Sequence, residues 1–410
     1  MKILGGSYRE TCEVPESEEV AGSGLRAAGA IAAAATPTLH TAIDGALQDA
    51  VEIVAGGLGV DLDWVGRDET VGFRYFTPLS NPTIDGPSAG ADAMRVEGDT
   101  VLAFGMVEAG ERSVDCKRLV IDPQRPRDLS RLDLDGYRCD QLALVCNSNE
   151  ILALSGATDL VEAADAARGC YRADVVVVKR GAVGAMIVTN DVTHVGPHPT
   201  TSVWPIGSGD VFAGAFARCW GSGVDAVEAA RAASAAAAWW CGTKSPTVPA
   251  EILDGGPPQH STVAAVELKV SPAPKVYLAG PFFDLPQRWL VELARNSLLG
   301  LGAEVFSPFH DVGPGGDEVA AADLEGLGDC GAVLALTDGW DAGTLYECGW
   351  ASRADIPIIA FGANPQSEGA KMLVGDGAEI HGDFSTAVYR SIWAAAGMEL
   401  TPDRYPIEPA

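Results

Sequence analysis

Short apolar runs alternate with amphipathic segments most regularly in the second half of the chain. The apolar runs predict strands and the amphipathic segments predict helices, because the two structures repeat their buried faces with different periods. This alternation predicts a doubly wound (flavodoxin-like) α/β domain whose ligand sites lie at the carboxyl ends of parallel strands. The predicted strands cover 275–279, 303–307, 331–337 and 356–361, and the predicted helices cover about 286–300, 317–328, 344–353 and 384–396.

The region before residue 250 is less regular. An apolar strand at 142–150 runs into a polar turn, a second strand covers 174–181, and a helix covers 224–240. Two short runs, 184–190 and 193–197, are typical of a hairpin. The first 130 residues predict a mixed sheet with excursions, with strand-like pieces at 64–69, 71–78 and 101–109.

A proline-rich seam separates the two regions. The segment Thr247–Pro274 carries a Gly-Gly-Pro-Pro turn and little helical periodicity. A chain of 410 residues is longer than chains that usually fold around a single hydrophobic core, which favours two or three domains. We predict a first domain over 1–250, a linker over 251–273 and a second domain over 274–410.

The composition limits the classes of molecule that the protein is expected to bind. Apolar residues make up 47% of the chain and charged residues 20%, which indicates a globular protein. The net charge of −28, from 28 basic and 56 acidic residues, disfavours nucleic acid and anionic membranes as partners. A phosphate-bearing small molecule would have to be held locally, by backbone N–H groups, a metal or a few basic side chains.

Several features favour a cytoplasmic location. The start MKILGGSYRE lacks secretory features, and the longest apolar runs fall short of the ~20 residues that a membrane span needs. Nine cysteines without a C-x-x-C pair suit reduced thiols. Val-Gly-Pro separates His194 from His198, so we expect no shared helical face and no structural zinc site.

The turn Gly207-Ser208-Gly209-Asp210 precedes a helix of small residues. Two glycines let backbone N–H groups converge, and the helix N-terminus adds positive potential, which together favour an anion hole. Asp210 would then accept a proton from an attacking hydroxyl. The alternative is structural, with Asp210 as the helix N-cap and the glycines serving close packing.

Two further motifs follow predicted strands. Asn147 and Glu150 belong to an Asn-Ser-Asn-Glu turn whose oxygens could hold water around Mg²⁺, or which is an ordinary turn. Lys179 and Gly181 begin a K-x-G-x-x-G segment that could lie near nucleotide phosphates, or simply join two strands.

The order of these motifs resembles the ribokinase-like (PfkB) carbohydrate kinases over roughly residues 1–250. The resemblance implies a three-layer α/β/α fold, ATP and Mg²⁺ as cofactors, and Asp210 as the catalytic base. It also implies an anion hole from Gly207 to Gly209, nucleotide contacts near Lys179 and Gly181, and magnesium organised by Asn147 and Glu150.

The chain departs from that family in the residues around the turn. Trp204-Pro205 stands where the family usually has Asp-Thr, and Leu25-Arg26 follows the early glycines where the family usually has Asn. An early substrate-binding Asp is not evident, and Glu10 is a candidate substitute. We expect altered substrate use, or else a domain that binds a ligand or partner without catalysis.

A second carboxylate cluster lies in LTDGWDAGTLYECGWAS, residues 336–352. Asp338 and Asp341 follow a predicted strand, and Glu347 lies one turn into the next helix. Two carboxylates around one anomeric carbon can divide nucleophilic attack from proton transfer to the leaving group. The alternative is a capping box in which Thr344 caps the helix and Glu347 reaches back to it.

The order of motifs from residue 274 to 365 resembles the nucleoside 2-deoxyribosyltransferases. The motifs are Y-L-A-G-P at 277–281, S-P-F-H-D at 307–311, Asp323, and D-x-G-T-x-x-E-x-G-x-A at 341–351. By resemblance, Glu347 is the nucleophile, Tyr277 orients it, Asp341 and Asp323 hold or protonate the base, and Gly280 and Pro281 line the sugar end.

Further expectations are less specific. Asp338 is a candidate substrate-binding residue, and the rings of Trp340, Trp350 and Phe283 could stack on a base or serve the core. Neither transfer nor hydrolysis is decided by the motifs, and no cofactor is expected for this domain. The combined hypothesis is a bifunctional enzyme of nucleoside or nucleotide metabolism, acting on small molecules and forming a homo-oligomer. Its alternative is an N-glycoside hydrolase joined to a non-catalytic kinase-like domain.

Overall fold

The structure is a computed structural model that describes residues 1–86, 90–108, 110–124, 131–270, 273–362 and 370–398. Its contacts divide the chain into two compact units. The first comprises Met1–Arg180, Gly184–His198 and Trp204–Glu267, and the second comprises Gly181–Val183, Pro199–Val203 and Leu268–Ala410. No helix in the described ranges is long and apolar enough to cross a membrane.

The first unit contains a large mixed sheet, a small sheet and seven helices in the part that the structure describes. Its strands are β1 (Lys2–Leu4), β2 (Tyr8–Cys12), β3 (Ser17–Ala21), β4 (Thr38–Ile43), β5 (Asp61–Gly66), β6 (Gly72–Tyr75), β7 (Thr83–Asp85), β8 (Met94–Phe104), β9 (Arg112–Asp122), β10 (Tyr137–Asn147), β11 (Val175–Lys179), β12 (Ala185–Val188) and β13 (Val192–Val195). Its helices are α1 (Ser23–Ile31), α2 (Gln48–Leu58), α3 (Ser148–Ser155), α4 (Leu160–Tyr171), α5 (Ser208–Gly221), α6 (Ala226–Thr243) and α7 (Ala250–Leu253).

The large sheet has the strand order β13-β12-β11-β10-β9-β8-β1-β4-β5, and the pairs from β11 to β5 are parallel. The hairpin of β12 and β13 adds the two antiparallel pairs at one edge. Successive side chains of a strand face opposite sides, and β10 illustrates the result. Ala143 and Val145 join the core beneath α1, α5 and α6, whereas Leu142 and Leu144 join the core beneath α3 and α4. The sheet is therefore the middle of three layers.

The second unit contains a five-stranded sheet in its described part, with the order β15-β14-β16-β17-β18 and every pair parallel. This is the flavodoxin-like order, in which the first strand lies beside the second and third. The predicted fold class of both domains is confirmed. The strands are β14 (Lys275–Ala279), β15 (Glu304–Phe306), β16 (Ala332–Leu336), β17 (Ile358–Phe361) and β18 (Glu379–His381). The helices are α8 (Leu285–Gly300), α9 (Pro308–Asp311), α10 (Val319–Gly328), α11 (Ala342–Arg353), α12 (Ala370–Gly375) and α13 (Phe384–Ala395).

Part of the seam between the two predicted domains groups with the first unit. Part of the predicted linker, residues 251–267, groups with the first unit, because Ile252 and Leu253 of α7 are buried in its core. Glu267 also accepts a hydrogen bond from the Gly196 amide at 2.8 Å. Residues 271–272 of that linker lie outside the described residues, as do 363–369 and 399–410 of the predicted second domain. The domain limits themselves stay a prediction.

A cluster of buried charged side chains lies at the carboxyl edge of the large sheet, beyond the ends of β4 and β5. Arg67 follows β5 and donates to Asp44, which follows β4, at 2.6 Å, and to Glu108 at 2.5 Å. The side chains of Arg67 and Glu108 are fully buried, and Tyr8 also donates to Glu108 at 2.7 Å. Buried charges are tolerated only when paired, so the sheet edge depends on this cluster.

We expect Arg67→Gln to destabilise the first unit, because it leaves two buried carboxylates without their cation. Breaking a buried pair costs about 3–5 kcal/mol, which corresponds to a fall of roughly 6–20 °C in the melting temperature of a domain this large. Circular dichroism melting of the full chain measures the change. The matched control is Arg95→Gln, whose pair with Glu97 is exposed and contributes little. Equal melting temperatures for the two variants would contradict the structural role of the cluster.

Candidate functional site

The predicted anion hole lies at the N-terminus of α5. Gly207 is the N-cap residue with a φ of +79°, Ser208 is the first helical residue, and Asp210 lies in the first turn with 7% of its surface exposed. No side chain caps this helix in the cap position, so the structural alternative that made Asp210 the N-cap is wrong. The Asp210 carboxylate instead accepts hydrogen bonds from residues outside α5.

Two side chains hold the Asp210 carboxylate. Arg26 of α1 donates from Nη1 to Oδ2 at 2.8 Å, and Gln124 donates from Nε2 to Oδ1 at 2.5 Å. In the sequence, Arg26 is notable only as a departure from a family pattern, and no motif marks Gln124. Gln124 follows β9 and has a left-handed φ of +32°, a local feature that composition and periodicity do not reveal.

Arg26 also pairs with two glutamates. Its Nη2 atom donates to Glu10 at 2.8 Å and to Glu19 at 3.0 Å. Burial alone would lower the pKa of Arg26, but the carboxylates of Glu10 and Asp210 outweigh burial and raise it well above its usual value. Burial raises the pKa of Glu10 even though Arg26 opposes the shift. Glu10, the candidate substitute for an early substrate-binding aspartate, therefore contacts the same guanidinium as Asp210.

Trp204 and Pro205 build the approach to the turn. Trp204 is buried, its amide donates to the carbonyl of Cys241 at 3.0 Å, and the Lys244 ammonium lies 3.8 Å from the centre of its ring. The carbonyl of Pro205 accepts a hydrogen bond from the Ser208 amide at 3.0 Å. These two residues thus fix the shape of the turn through packing and backbone hydrogen bonds.

Lys179 lies on the other side of the turn. It ends β11, forms an ion pair with Asp122 at the end of β9, and its Nζ atom would be 3.4 Å from a Cβ atom placed on Gly209. Burial alone would lower the pKa of Lys179, but the carboxylates of Asp122 and Glu150 outweigh burial and raise it. Sequence reasoning missed Asp122, although its position as the last residue of an apolar run, RLVID, was a usable signal.

Asn147 and Glu150 form the N-terminal cap of α3. Asn147 Oδ1 accepts from the Glu150 amide at 2.9 Å, and Glu150 Oε2 accepts from the Asn147 amide at 2.7 Å. This capping box places both residues at the end of β10, beside the strands that carry Asp122 and Lys179. Gly181, with a φ of +55°, begins the short 3₁₀ turn Gly181–Val183 two residues after Lys179.

The second unit brings Tyr277 and Glu347 into direct contact. Tyr277 in β14 donates from Oη to Oε1 of Glu347 in α11 at 2.7 Å. The Tyr277 ring is fully buried and stacks on Phe306, with ring centres 5.6 Å apart. Burial and the Glu347 carboxylate raise the pKa of the Tyr277 hydroxyl, so it stays protonated and remains a donor.

Asp341, not Thr344, caps α11. The Asp341 Oδ2 atom accepts from the Thr344 amide at 2.9 Å and from the Thr344 hydroxyl at 3.1 Å. The capping box that the sequence offered as an alternative, with Glu347 reaching back to Thr344, is therefore wrong. Glu347 bonds to Tyr277 instead, on the strand beside which α11 packs.

The electrostatic surroundings of Glu347 favour its neutral form. Burial raises the pKa of Glu347 to about 7, the hydrogen bond from Tyr277 opposes the shift, and the nearby Asp323 and Asp341 carboxylates add to it. Burial also raises the pKa of Asp323 in α10. Asp323 Oδ1 is buried without a hydrogen-bond partner among the described residues. Two of the predicted carboxylates, Asp323 and Asp341, thus act electrostatically on a third, Glu347.

The remaining predicted residues lie around this group. Gly280 follows β14, where an added Cβ would come within 3.0 Å of Leu336, and the next residue, Pro281, is buried. Asp338 lies on the surface just after β16. Of the candidate stacking rings, Trp340 and Trp350 pack against the core of the unit, whereas Phe283 is 70% exposed.

Residues 109–253 match the family model described as pfkB family carbohydrate kinase, and residues 276–381 match the model described as Nucleoside 2-deoxyribosyltransferase. No curated protein matches the chain.

Solved structures with a similar chain path include three sugar kinases. Phosphofructokinase-2 from Escherichia coli is 16% identical, with a TM-score of 0.45, over 62% of this chain and 96% of that one. A ribokinase from Thermotoga maritima is 18% identical, with a TM-score of 0.42, over 62% and 97%. A fructokinase double mutant from Vibrio cholerae O395 is 14% identical, with a TM-score of 0.46, over 62% and 97%.

The family matches agree with the order of motifs along the chain and with the two folds. One chain thus carries a pfkB family carbohydrate kinase domain followed by a nucleoside 2-deoxyribosyltransferase domain.

Proposed function

We propose that the C-terminal domain cleaves the N-glycosidic bond of a 2-deoxyribonucleoside through a covalent intermediate on Glu347. The contact between Tyr277 and Glu347 carries this proposal, because it fixes one carboxylate oxygen and leaves the other to attack. The carboxylate forms a bond to the anomeric carbon as the bond to the base breaks. The electron pair of that bond leaves on the base nitrogen, which takes a proton from a neighbouring carboxylic acid.

Asp323 is the best candidate for the proton donor. Burial raises its pKa, so it holds a proton more readily than an exposed aspartate. Asp341 already accepts two hydrogen bonds from Thr344 as the cap of α11. A second base then attacks the intermediate in the transferase reaction, and water attacks it in the hydrolase reaction.

We propose that the N-terminal domain phosphorylates a hydroxyl of a sugar or nucleoside with ATP. The placement of Asp210 in the first turn of α5, beside Gly207, supports this role. Asp210 takes the hydroxyl proton, while the amides of Gly207, Ser208 and Gly209 and the ammonium of Lys179 hold the phosphoryl group.

The residues at the ends of β9 and β10 fit a magnesium ion that arrives with the nucleotide. Magnesium usually binds one or two carboxylates plus substrate phosphates and keeps several waters. Asp122 offers a buried Oδ1 atom without a hydrogen-bond partner in the described ranges, and the Asn147–Glu150 cap adds oxygens nearby. No group of three or more His, Cys, Asp or Glu side chains in those ranges could hold a metal alone. The ion would supply positive charge at the phosphates, and Asp122 and Glu150 would hold it.

One observation favours the alternative of a non-catalytic N-terminal domain. Both oxygens of Asp210 already accept hydrogen bonds, from Arg26 and from Gln124. In that alternative the domain binds a ligand or partner and the C-terminal domain is an N-glycoside hydrolase for deoxynucleosides or their 5′-monophosphates.

The proposal also includes a cytoplasmic homo-oligomer. Phe283, Leu285 and Trp289 precede or begin α8 and are between 50% and 80% exposed. Apolar side chains exposed together often mark contacts between protein chains. A tetrameric form is named for phosphofructokinase-2 from Escherichia coli.

We expect Glu347→Gln to lose deoxynucleoside cleavage, because the amide cannot attack the anomeric carbon. The loss should exceed about a thousandfold, since a covalent route depends on its nucleophile. Mass spectrometry of a deoxynucleoside panel, with and without a second base, measures both base exchange and net base release. Glu325→Gln, an exposed glutamate of α10, is the matched control and should retain activity. Unchanged turnover in the Glu347 variant would reject the carboxylate mechanism.

The value of kcat/KM for this cleavage should fall as the pH drops below about 7, because only ionised Glu347 attacks. Tyr277→Phe removes the hydrogen bond that favours the ionised form, so the midpoint of the profile should move to higher pH by about one unit. The control is Tyr346→Phe on the same helix, where the ring is 66% exposed. A midpoint that moves down in Tyr277→Phe would contradict the role of the hydrogen bond.

Asp210→Asn should abolish ATP consumption by the full chain, because the amide cannot take the hydroxyl proton. The assay pairs a panel of sugars and nucleosides with ATP and Mg²⁺ and detects phosphorylated products. The matched control is Asp225→Asn, since Asp225 caps α6 and asparagine caps equally well. If Asp210→Asn consumes ATP at the rate of the unchanged protein, Asp210 is not the base. If the unchanged protein consumes no ATP with any compound, the non-catalytic alternative holds.

A further inference from the structure

The side chain of Arg26 lies directly against the glycine turn of α5. A Cβ atom placed on Gly207 would come 2.1 Å from Cδ of Arg26 and 2.2 Å from its Nε atom. Real atoms do not approach so closely, so any side chain at position 207 would displace Arg26. The absence of a side chain on Gly207 therefore lets a guanidinium reach the helix N-terminus where an anion is favoured.

The guanidinium is held firmly in that place. Its two terminal nitrogens donate to the carboxylates of Asp210, Glu10 and Glu19, and its carbon lies 5.4 Å from the ring centre of Trp240. Trp240 in turn donates from Nε1 to the Ile206 carbonyl at 2.7 Å, which ties the ring to the same turn. Because its orientation is already fixed, a charged donor can stabilise a transition state without first rearranging the protein around it.

One N–H group of the Arg26 side chain forms no hydrogen bond with the residues that the structure describes. Arg26 is 6% exposed, and its Nε atom is buried without a hydrogen-bond partner among the residues that the structure describes. Other buried arginines in the described residues, such as Arg67, also have an unpaired Nε atom. The position of this donor against Gly207 at the anion-binding turn is what points to a hydrogen-bond acceptor that arrives with a ligand.

We propose that Arg26 is a catalytic residue of the kinase domain and donates from Nε to the phosphoryl group during its transfer. This inference rests on the proposed kinase function. The hydroxyl oxygen of the substrate forms a bond to the γ-phosphorus of ATP. The bond from that phosphorus to the bridging oxygen breaks, and its electron pair leaves on ADP. The acceptor proton passes to Asp210. Arg26 neither gains nor loses a proton, and its charge stabilises the phosphoryl oxygens, as Lys179 does from the other side of the turn.

The carboxylates around Arg26 are compatible with this role. When Asp210 turns toward an acceptor hydroxyl, Glu10 and Glu19 still neutralise the guanidinium, so no buried charge is left unpaired. The opposite role is an inhibitory one, in which the Arg26–Asp210 pair blocks the base. The two roles predict opposite changes in turnover when Arg26 is replaced.

The test compares Arg26→Gln with the unchanged full-length protein. The probes are ADP with Mg²⁺, and ADP with Mg²⁺ and aluminium fluoride, which imitates the phosphoryl group in transfer. Calorimetry should give an affinity for ADP within about threefold of the unchanged protein and an affinity for ADP–aluminium fluoride at least about tenfold weaker. With the acceptor that the panel identifies, kcat should fall about a hundredfold or more while KM for ATP changes little. Arg26→Lys should recover part of the loss.

Arg118→Gln is the matched control. Arg118 also lies over a tryptophan, Trp220, and donates to the Trp220 carbonyl, but at the C-terminal end of α5. This variant should keep kcat and the affinity for ADP–aluminium fluoride, with melting temperatures reported for all variants. Turnover at or above that of the unchanged protein in Arg26→Gln would overturn the proposal in favour of inhibition. Equal losses of affinity for ADP and ADP–aluminium fluoride would overturn it in favour of a structural role. If the unchanged protein binds neither probe, the kinase proposal itself fails, and this inference with it.

Discussion

The ion pair between Arg26 and Asp210 sets the geometry of the first site, because it joins two helices at the one point where both reach the glycine turn. Small residues make that approach possible. A Cβ atom on Gly214 of α5 would come 2.9 Å from the carbonyl oxygen of Ala27, and one on Gly24 of α1 would come 2.6 Å from the backbone of Gly5. Larger residues at these positions would move α1 away from α5 and from the sheet. The small-residue composition of both helices thus serves the placement of one charge pair.

The two sites use buried charge differently. In the first unit each buried cation meets carboxylates, as Lys179 meets Asp122 and Arg26 meets Asp210. In the second unit the carboxylates gather with a tyrosine as the donor, so burial raises the pKa of Glu347. Positive charge suits a site for a phosphoryl group, and a set of carboxylates with raised pKa values suits proton transfer at a glycosidic bond. The difference lies in the residues that each site brings together: basic side chains with carboxylates in the first, and a tyrosine with carboxylates in the second.

The sequence predicted those parts of the fold that depend on local pattern. Strands β14, β16 and β17 were identifiable because each is a short apolar run. Strand β18 was not, because its Glu379 and His381 are polar and become buried only by pairing with each other and with Arg390. The pair of Arg26 with Asp210 joins residues 184 positions apart, which no spacing rule addresses. The helix start at Asp341 was ambiguous for another reason: Asp341 and Thr344 are both good caps, and only the folded chain chooses between them.

The glycosidic cleavage that we propose for the second site needs two carboxyl groups in opposite protonation states at the same pH. In that reaction Glu347 is ionised when it attacks, whereas a carboxyl group near the base is protonated so that it can donate. Burial raises the pKa of both Glu347 and Asp323 and so cannot by itself distinguish them. The hydrogen bond from Tyr277 reaches Glu347 and favours its ionised form, while Asp323 Oδ1 has no such donor among the described residues. In the proposed reaction the Tyr277 hydroxyl therefore favours the ionised form of Glu347, and it is held in place because it belongs to a buried strand.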